Sequence, residues 1–212
     1  MSRPQLILLG APGSGKGTQA QRLVAGMGYK HISTGDLLRS EIAKASDLGK
    51  RVKQIMDDGK LVDDQTVLEL LKVNCDLQGN SYIFDGFPRN IEQARALEEV
   101  VLQGVKTRAI YFEIDLEILV QRITNRRLAP KSGEIYNLIS RPPKVAGKCD
   151  VSGEDLIQRP DDNETTVRNR LGIFKESIEP ILAFYESQGI LARLNADQSS
   201  EAVYAELERI LS

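Results

Sequence analysis

The run Leu6-Ile-Leu-Leu-Gly-Ala-Pro-Gly-Ser-Gly-Lys-Gly-Thr18 decides how this chain is read. Four consecutive apolar residues, Leu6 to Leu9, predict a buried strand. Four glycines follow within eight residues, at 10, 13, 15 and 17, with Lys16 between the last two. A helical pattern begins at once behind them, with Ala20, Leu23, Val24 and Met27 on one face. Strand, Gly-rich loop, lysine and helix in that order make a phosphate cradle. Glycines let backbone N–H groups converge on one anion, the helix N-terminus adds partial positive charge, and Lys16 supplies a point charge. The spacing Gly10-x-x-x-x-Gly15-Lys16 is that of a P-loop and excludes the Gly-x-Gly-x-x-Gly of a dinucleotide fingerprint. The hydroxyl comes one place late, at Thr18 after Gly17, so it does not by itself imply a magnesium ligand.

Composition bounds what surrounds this loop. With 41% of its 212 residues hydrophobic, the chain suits one core domain with insertions, or two small ones. The 28 basic and 30 acidic residues leave a formal charge of −2, so no overall basic field draws it to nucleic acid or membrane. Polyanion binding has to be local. Cys75 and Cys149 lie too far apart to suggest a disulfide scaffold. There is no leader pattern and no run near the roughly 18 apolar residues of a membrane helix. The expectation is a soluble cytoplasmic protein.

Outward from the loop, strands and helices alternate. Strands are predicted at Tyr29–Ile32, Ser81–Phe84, Arg108–Ile114 and Ile190–Leu194. Helix starts are marked by Ser33, by Ser46 or Asp47, by Asp63 or Asp64, and by Asn90 and Asp115. Residues 128–162 break the pattern: apolar density falls, and Pro130, Gly133, Pro142, Pro143, Gly147, Gly153 and Pro160 punctuate a charged segment. At about 35 residues it is too long for an ordinary loop, which predicts a small lid. A long helix through Val167, Leu171, Ile178 and Tyr185 follows, bent at Pro180, and a last helix spans about Ser200 to Leu211. The fold class is therefore α/β: a three-layer fold with a five-stranded parallel sheet. Ligands of such sheets sit beyond the carboxyl ends of the strands, which gathers Gly10–Lys16, Ser33–Asp36, Asp85–Arg89 and Asn195–Asp197 at one rim.

Two groups of residues at that rim have the chemistry of phosphoryl transfer. Asp85 ends a buried strand beside the phosphate loop, where a carboxylate holds magnesium through its waters. Arg89 follows four residues later as a phosphate clamp. Arg122, Arg126 and Arg127 precede the 128–162 segment and Arg159, Arg168 and Arg170 follow it, so positive charge collects at the hinge of the predicted lid. Asp161 and Asp162 either pair with these arginines or cap the long helix. His31, the one histidine, reads as a packing residue at the strand end or in the acceptor region rather than as a catalytic one.

These runs together resemble the adenylate kinases of the long-lid bacterial type, within the nucleoside monophosphate kinases. The matching stretches are Gly10–Thr18, Ile32-Ser-Thr-Gly-Asp-Leu-Leu-Arg39, Asp57-Asp-Gly-Lys-Leu-Val62, Phe84-Asp-Gly-Phe-Pro-Arg89, Arg126-Arg127, Pro142-Pro-Lys-Val-x-Gly147 and Arg159-Pro-Asp-Asp-Asn163. The resemblance implies a reversible, magnesium-dependent transfer of the ATP γ-phosphoryl group to AMP, giving two ADP, in a monomer. It implies a core of residues 1–32, 63–124 and 163–212, an AMP-binding segment at 33–62 and a lid at 125–162. ATP would meet Gly13, Ser14, Gly15, Lys16, Gly17, Thr18, Arg122, Arg126 and the loop ending at Gln198. AMP would meet Thr34, Arg39, Met56, Lys60, Val62, Gly86, Arg89, Gln93, Arg159 and Arg170. Arg159 and Arg170 would clamp the transferring group, which makes Lys16, Arg89, Arg126, Arg159 and Arg170 the catalytic set. Some relatives hold the lid with a structural zinc. The corresponding positions here are Ala129, Ser132, Cys149 and Ser152, which leaves a single soft ligand and implies no zinc. A P-loop ATPase or switch protein, or a kinase for another nucleoside monophosphate, is the alternative.

Overall fold

The computed structural model describes residues 3–212. The strand of the opening run, β1 (Gln5–Gly10), lies in the middle of a five-stranded, all-parallel sheet. Its neighbours are β3 (Tyr82–Asp85) and β4 (Thr107–Glu113), and the edges are β2 (Lys30–Ser33) and β7 (Leu191–Asn195), in the order β2-β3-β1-β4-β7. A separate antiparallel pair, β5 (Arg126–Leu128) and β6 (Ile135–Asn137), belongs to the 125–162 segment.

Side chains of β1 alternate between the two faces of the sheet, so both faces need cover. Ile7 and Leu9 join Phe84 and Ala109 on one face, under α2 (Thr34–Ala43), α3 (Asp47–Asp57), α4 (Asp64–Asn74), α5 (Ile91–Ala96) and α7 (Glu164–Ser187). Leu6 and Leu8 join Ile83, Ile110 and Phe112 on the other, under α1 (Lys16–Met27) and α8 (Ser200–Leu211). All four β1 residues are essentially solvent-free, and burying each is worth about 1.5–3 kcal/mol. A third cluster, with Ala11, Val167, Leu171 and the Leu119 and Ile123 of α6 (Leu119–Thr124), supports the loop after β1 from below.

Local chemistry sets the helix starts. Ser33, Ser46, Asp63, Asn90 and Asn163 each accept a hydrogen bond from the N–H three residues on. The open choices resolve to Ser46 over Asp47 and Asp63 over Asp64, while Asn163 caps α7 and frees Asp161 and Asp162 for ion pairing. Two expectations need correction. The helix after Asn90 does not stay α-helical: Leu97–Leu102 forms a π-helical turn. Leu97 and Leu102 lie five residues apart and are both fully buried, and the wider turn brings them closer to one face than a 3.6-residue turn would. The last two strands also each shift by one residue, to Thr107–Glu113 and Leu191–Asn195. Pro180 sits inside α7, which continues through it over 24 residues.

The 125–162 segment has a small core of its own. Ala129, Tyr136 and Cys149 are buried together against Leu156. The Glu154 carboxylate accepts from the backbone N–H of Lys131 and Ser132 and from the Ser152 hydroxyl, each at 2.8 Å. Burial works against its charge, but those donors hold its pKa at about 2. Asp150 turns to its own loop and accepts from the Lys144 N–H. Among the described residues, no group of three or more His, Cys, Asp or Glu is placed to hold a metal ion, and no helix is long and apolar enough to cross a membrane.

Candidate active site

The loop between β1 and α1 is open where an anion has to enter. Gly15 precedes α1 with φ of 95°, and a Cβ there would meet nothing within 4 Å. Most L-residues avoid that conformation, so glycine is required by backbone shape rather than by packing. Among the described residues, α1 has no side-chain cap, and no acidic residue lies in its first turn. Its first N–H groups and its positive end are thus left for a ligand. Lys16 opens the helix, and its Nζ folds back to donate to Gly10 O at 2.7 Å and Ala11 O at 2.9 Å. Burial pushes this ammonium down to about 8, against the pull of Asp85. Arg89, Arg170 and Arg126 push it further the same way.

Across the rim, parallel pairing of β2 with β3 puts Ser33 beside Asp85. The Asp85 carboxyl is held below its usual range: burial opposes its charge, and the His31 hydrogen bond and the Lys16 ammonium outweigh burial. His31 Nε2 lies 3.3 Å from Asp85 Oδ2, so this histidine is more than a packing residue. One deprotonated carboxylate facing the phosphate loop is the donor set that suits magnesium, which keeps most of its own waters.

Beyond Asp85 the chain enters an open cleft. Thr34, Arg39, Met56, Lys60, Val62, Gly86, Arg89, Gln93 and Arg170 all line it, so nine of the ten residues predicted to meet AMP share one cavity, and Arg159 stands outside its lining. Gly86 is its hinge. Thr34 Oγ1 and Arg89 Nε both donate to Gly86 O, at 2.9 and 2.7 Å. A Cβ on Gly86, at φ of 79°, would meet Thr34 Oγ1 at 3.0 Å.

The arginines around the 125–162 segment converge on the same place through carboxylates 36, 161 and 162. Arg126 Nε donates to Asp162 Oδ2 at 2.8 Å, and its Nη2 donates to Asp162 Oδ1. Asp162 has no solvent exposure. Arg170 Nη1 donates to Asp161 Oδ2 at 2.8 Å, with Arg39 3.7 Å from the same oxygen. Arg159 Nη2 and Arg39 Nη2 both donate to Asp36 Oδ1, at 3.0 and 2.6 Å. Burial opposes the Asp36 charge, yet the two guanidinium groups hold its pKa at about 2.

Six cations, Lys16, Arg39, Arg89, Arg126, Arg159 and Arg170, thus share four carboxylates, Asp36, Asp85, Asp161 and Asp162. The excess is visible in Arg159 and Arg170, whereas Arg126 is buried too but is held upward by its Asp162 partner. Burial, then Arg39 and Arg126, lower Arg159 to about 10. Burial also lowers Arg170 to about 10, with Arg89 and Arg126 adding to it. Arg159 Nε is buried with no hydrogen-bond partner among the described residues. Desolvated cations short of anions are a site built for a polyanion.

Two predicted ATP contacts lie elsewhere on the rim. Arg122 Nη2 donates to Asp197 Oδ1 at 3.0 Å, which ties α6 to the loop after β7. Gln198 turns its amide to its own loop and donates to Asn195 O, so its side chain is already engaged. The sequence already offered arginine pairing as one role for Asp161 and Asp162, but it held no sign of the same role for Asp36, whose carboxylate meets Arg159 from 123 positions away.

A family model places the chain among known proteins. The adenylate kinase model matches residues 8–190, which includes every element of the rim except the loop after β7. The chain belongs to the adenylate kinase family. Its similarity to individual adenylate kinases runs end to end. It is 41% identical over 211 residues to the adenylate kinase of Shouchella clausii (strain KSM-K16), covering 98% of this chain and 97% of that one. It is 42% identical over 210 residues to that of Thermosipho africanus (strain TCF52B), covering 97% and 98%. A yeast relative, from Kluyveromyces lactis, is 42% identical over 212 residues, covering 98% and 93%. The activity is that of the adenylate kinase family: reversible phosphoryl transfer between ATP and AMP, giving two ADP.

Proposed function

We propose that the P-loop and the cleft are the two halves of one in-line site, with ATP phosphates at Gly13–Thr18 and AMP in the cleft. Residues 33–62 act as the acceptor segment, residues 125–162 as the lid, and the rest as the core. In this reading Thr34, Arg39, Gly86, Arg89 and Gln93 hold AMP, with Met56, Lys60 and Val62 along the pocket wall. Lys16 and the loop amides hold the donor phosphates, with Arg122 and Arg126 beside them. The loop ending at Gln198 offers backbone groups to the donor base.

No general base is required, because the AMP phosphate is itself the nucleophile. One of its oxygens bonds to the γ-phosphorus of ATP as the bond from that phosphorus to the bridging β–γ oxygen breaks. Lys16, Arg89, Arg126, Arg159 and Arg170 neutralise charge on the equatorial and leaving oxygens. Asp85 would hold magnesium through its waters, and the ion would supply further charge neutralisation to the donor phosphates. The lid brings Arg126 and Arg159 with it and excludes water as a competing acceptor. Both nucleotides are met by one chain, which fits a cytoplasmic monomer with ATP, AMP and ADP as its partners.

The observation that carries this reading is the surplus of buried cations over carboxylates between loop and cleft. A coupled phosphotransfer assay over AMP, GMP, UMP and CMP, with and without magnesium, tests it. AMP is expected to be the preferred acceptor, with turnover lost when the metal is chelated. Slow ATP hydrolysis independent of any acceptor would instead indicate a P-loop ATPase or switch, and preference for another nucleotide a different acceptor class.

A further inference from the structure

We propose that Asp64 is a specificity-determining residue, which selects the acceptor base by fixing the direction of the Gln93 side-chain amide. The inference rests on the reading in which Gln93 meets the base of AMP. Gln93 lines the cleft, although it is only 2% exposed. Both ends of its amide are already engaged. Its Oε1 accepts from the Arg89 backbone N–H at 2.7 Å, and its Nε2 donates to Asp64 Oδ1 at 2.7 Å.

These two partners are not interchangeable. A backbone N–H only donates, and a carboxylate only accepts. A flipped Gln93 would set its NH₂ against the Arg89 N–H and its carbonyl oxygen against the Asp64 carboxylate. Both contacts would be repulsive, in a place with little water to relieve them. Asp64 is held in turn from the neighbouring cap: Asn90 Nδ2 donates to its two oxygens at 3.2 and 3.4 Å. Asp64 opens α4 and Gln93 lies in α5, so the contact also joins two helices.

The lock leaves Gln93 with one free N–H and one free lone pair, in a fixed order. Adenine presents an exocyclic amine donor beside a ring-nitrogen acceptor, which is the complement of that order. Hypoxanthine and guanine present a carbonyl acceptor beside a ring N–H donor, the reverse order. An amide free to turn would serve either base. Asp64 touches no substrate in this account: it is a positioning residue that acts through Gln93.

The test compares AMP and IMP as acceptors, since both are purine monophosphates without an amine at C2 and differ in this hydrogen-bonding edge. Asp64→Asn keeps the shape but offers either a carbonyl or an amine to Gln93. It is expected to lower the AMP-to-IMP ratio of kcat/KM by about tenfold, the weight of one well-made hydrogen bond. The change should come from KM for the two acceptors, with KM for ATP and kcat with AMP nearly unchanged. Asp64→Ala is the second variant and should lower the ratio in the same direction. A purely structural role would depress both acceptors together. An unchanged ratio in both Asp64 variants overturns the proposal. Gln93→Ala separates the two ways to fail. If its ratio collapses while those of the Asp64 variants hold, the lock alone is wrong; if its ratio also holds, Gln93 does not read the base and the underlying assignment falls with the proposal.

Discussion

Lys16→Met is expected to lower kcat by about 10²–10³-fold or more, the usual cost of removing a preorganised group that meets developing charge. The melting temperature should move by only a few degrees. Methionine matches the apolar stem, and what is lost is a half-buried cation bonded to Gly10 O and Ala11 O. The loop amides remain, so ATP still binds and turnover falls more than affinity. The pH dependence follows from the same residue. Burial lowers the free enzyme's Lys16 to about 8, so kcat/KM for ATP falls as pH rises through that value and the ammonium is lost. Bound phosphates stabilise the charged form, so kcat holds to higher pH. Steady-state kinetics from pH 6 to 10 read both effects. Near-normal turnover by the variant would remove Lys16 from the reaction.

The second large effect is structural and centres on Asp162, which is fully buried and takes two hydrogen bonds from Arg126. Asp162→Ala leaves that guanidinium in the interior with its partner gone. Breaking a buried pair from one side costs about 3–5 kcal/mol, because the surviving charge stays desolvated. For a chain of this length that lowers the melting temperature by roughly 10 °C. Activity should fall too, since Arg126 loses the anchor that aims it at the phosphates. Asp162→Asn retains one acceptor and should fall between wild type and alanine. Calorimetry checks the order of the three proteins. A melting temperature within a degree or two of wild type in Asp162→Ala would contradict the account of how the lid hinge is held.

The strongly local signals of this chain were legible in its sequence. The apolar run into Gly10–Lys16, the alternation of strands and helices, and the Asp85–Arg89 run each depend on neighbours in the chain. They placed β1 and the rim, whereas most residues of the cleft came from the family resemblance rather than from local signals. What could not be read was pairing between distant side chains. Arg159 with Asp36, and Gln93 with Asp64, are set by how helices dock, not by spacing along the chain. The π-helical turn at Leu97–Leu102 was hidden because its apolar positions also suit an ordinary helix. The lid posed a different problem. Ala129, Ser132, Cys149 and Ser152 lacked a recognisable ligand set, and nothing marked Glu154 as the residue whose carboxylate would gather Lys131, Ser132 and Ser152.

The central claim is that loop, cleft and lid arginines form one site for two nucleotides, where phosphate and not water accepts the transferred group. Incubating the purified chain with ADP and magnesium alone, and following products by ³¹P NMR, tests this most directly. The prediction is equal amounts of ATP and AMP at a steady equilibrium, with no inorganic phosphate. Accumulation of inorganic phosphate, or no conversion of ADP, would contradict it.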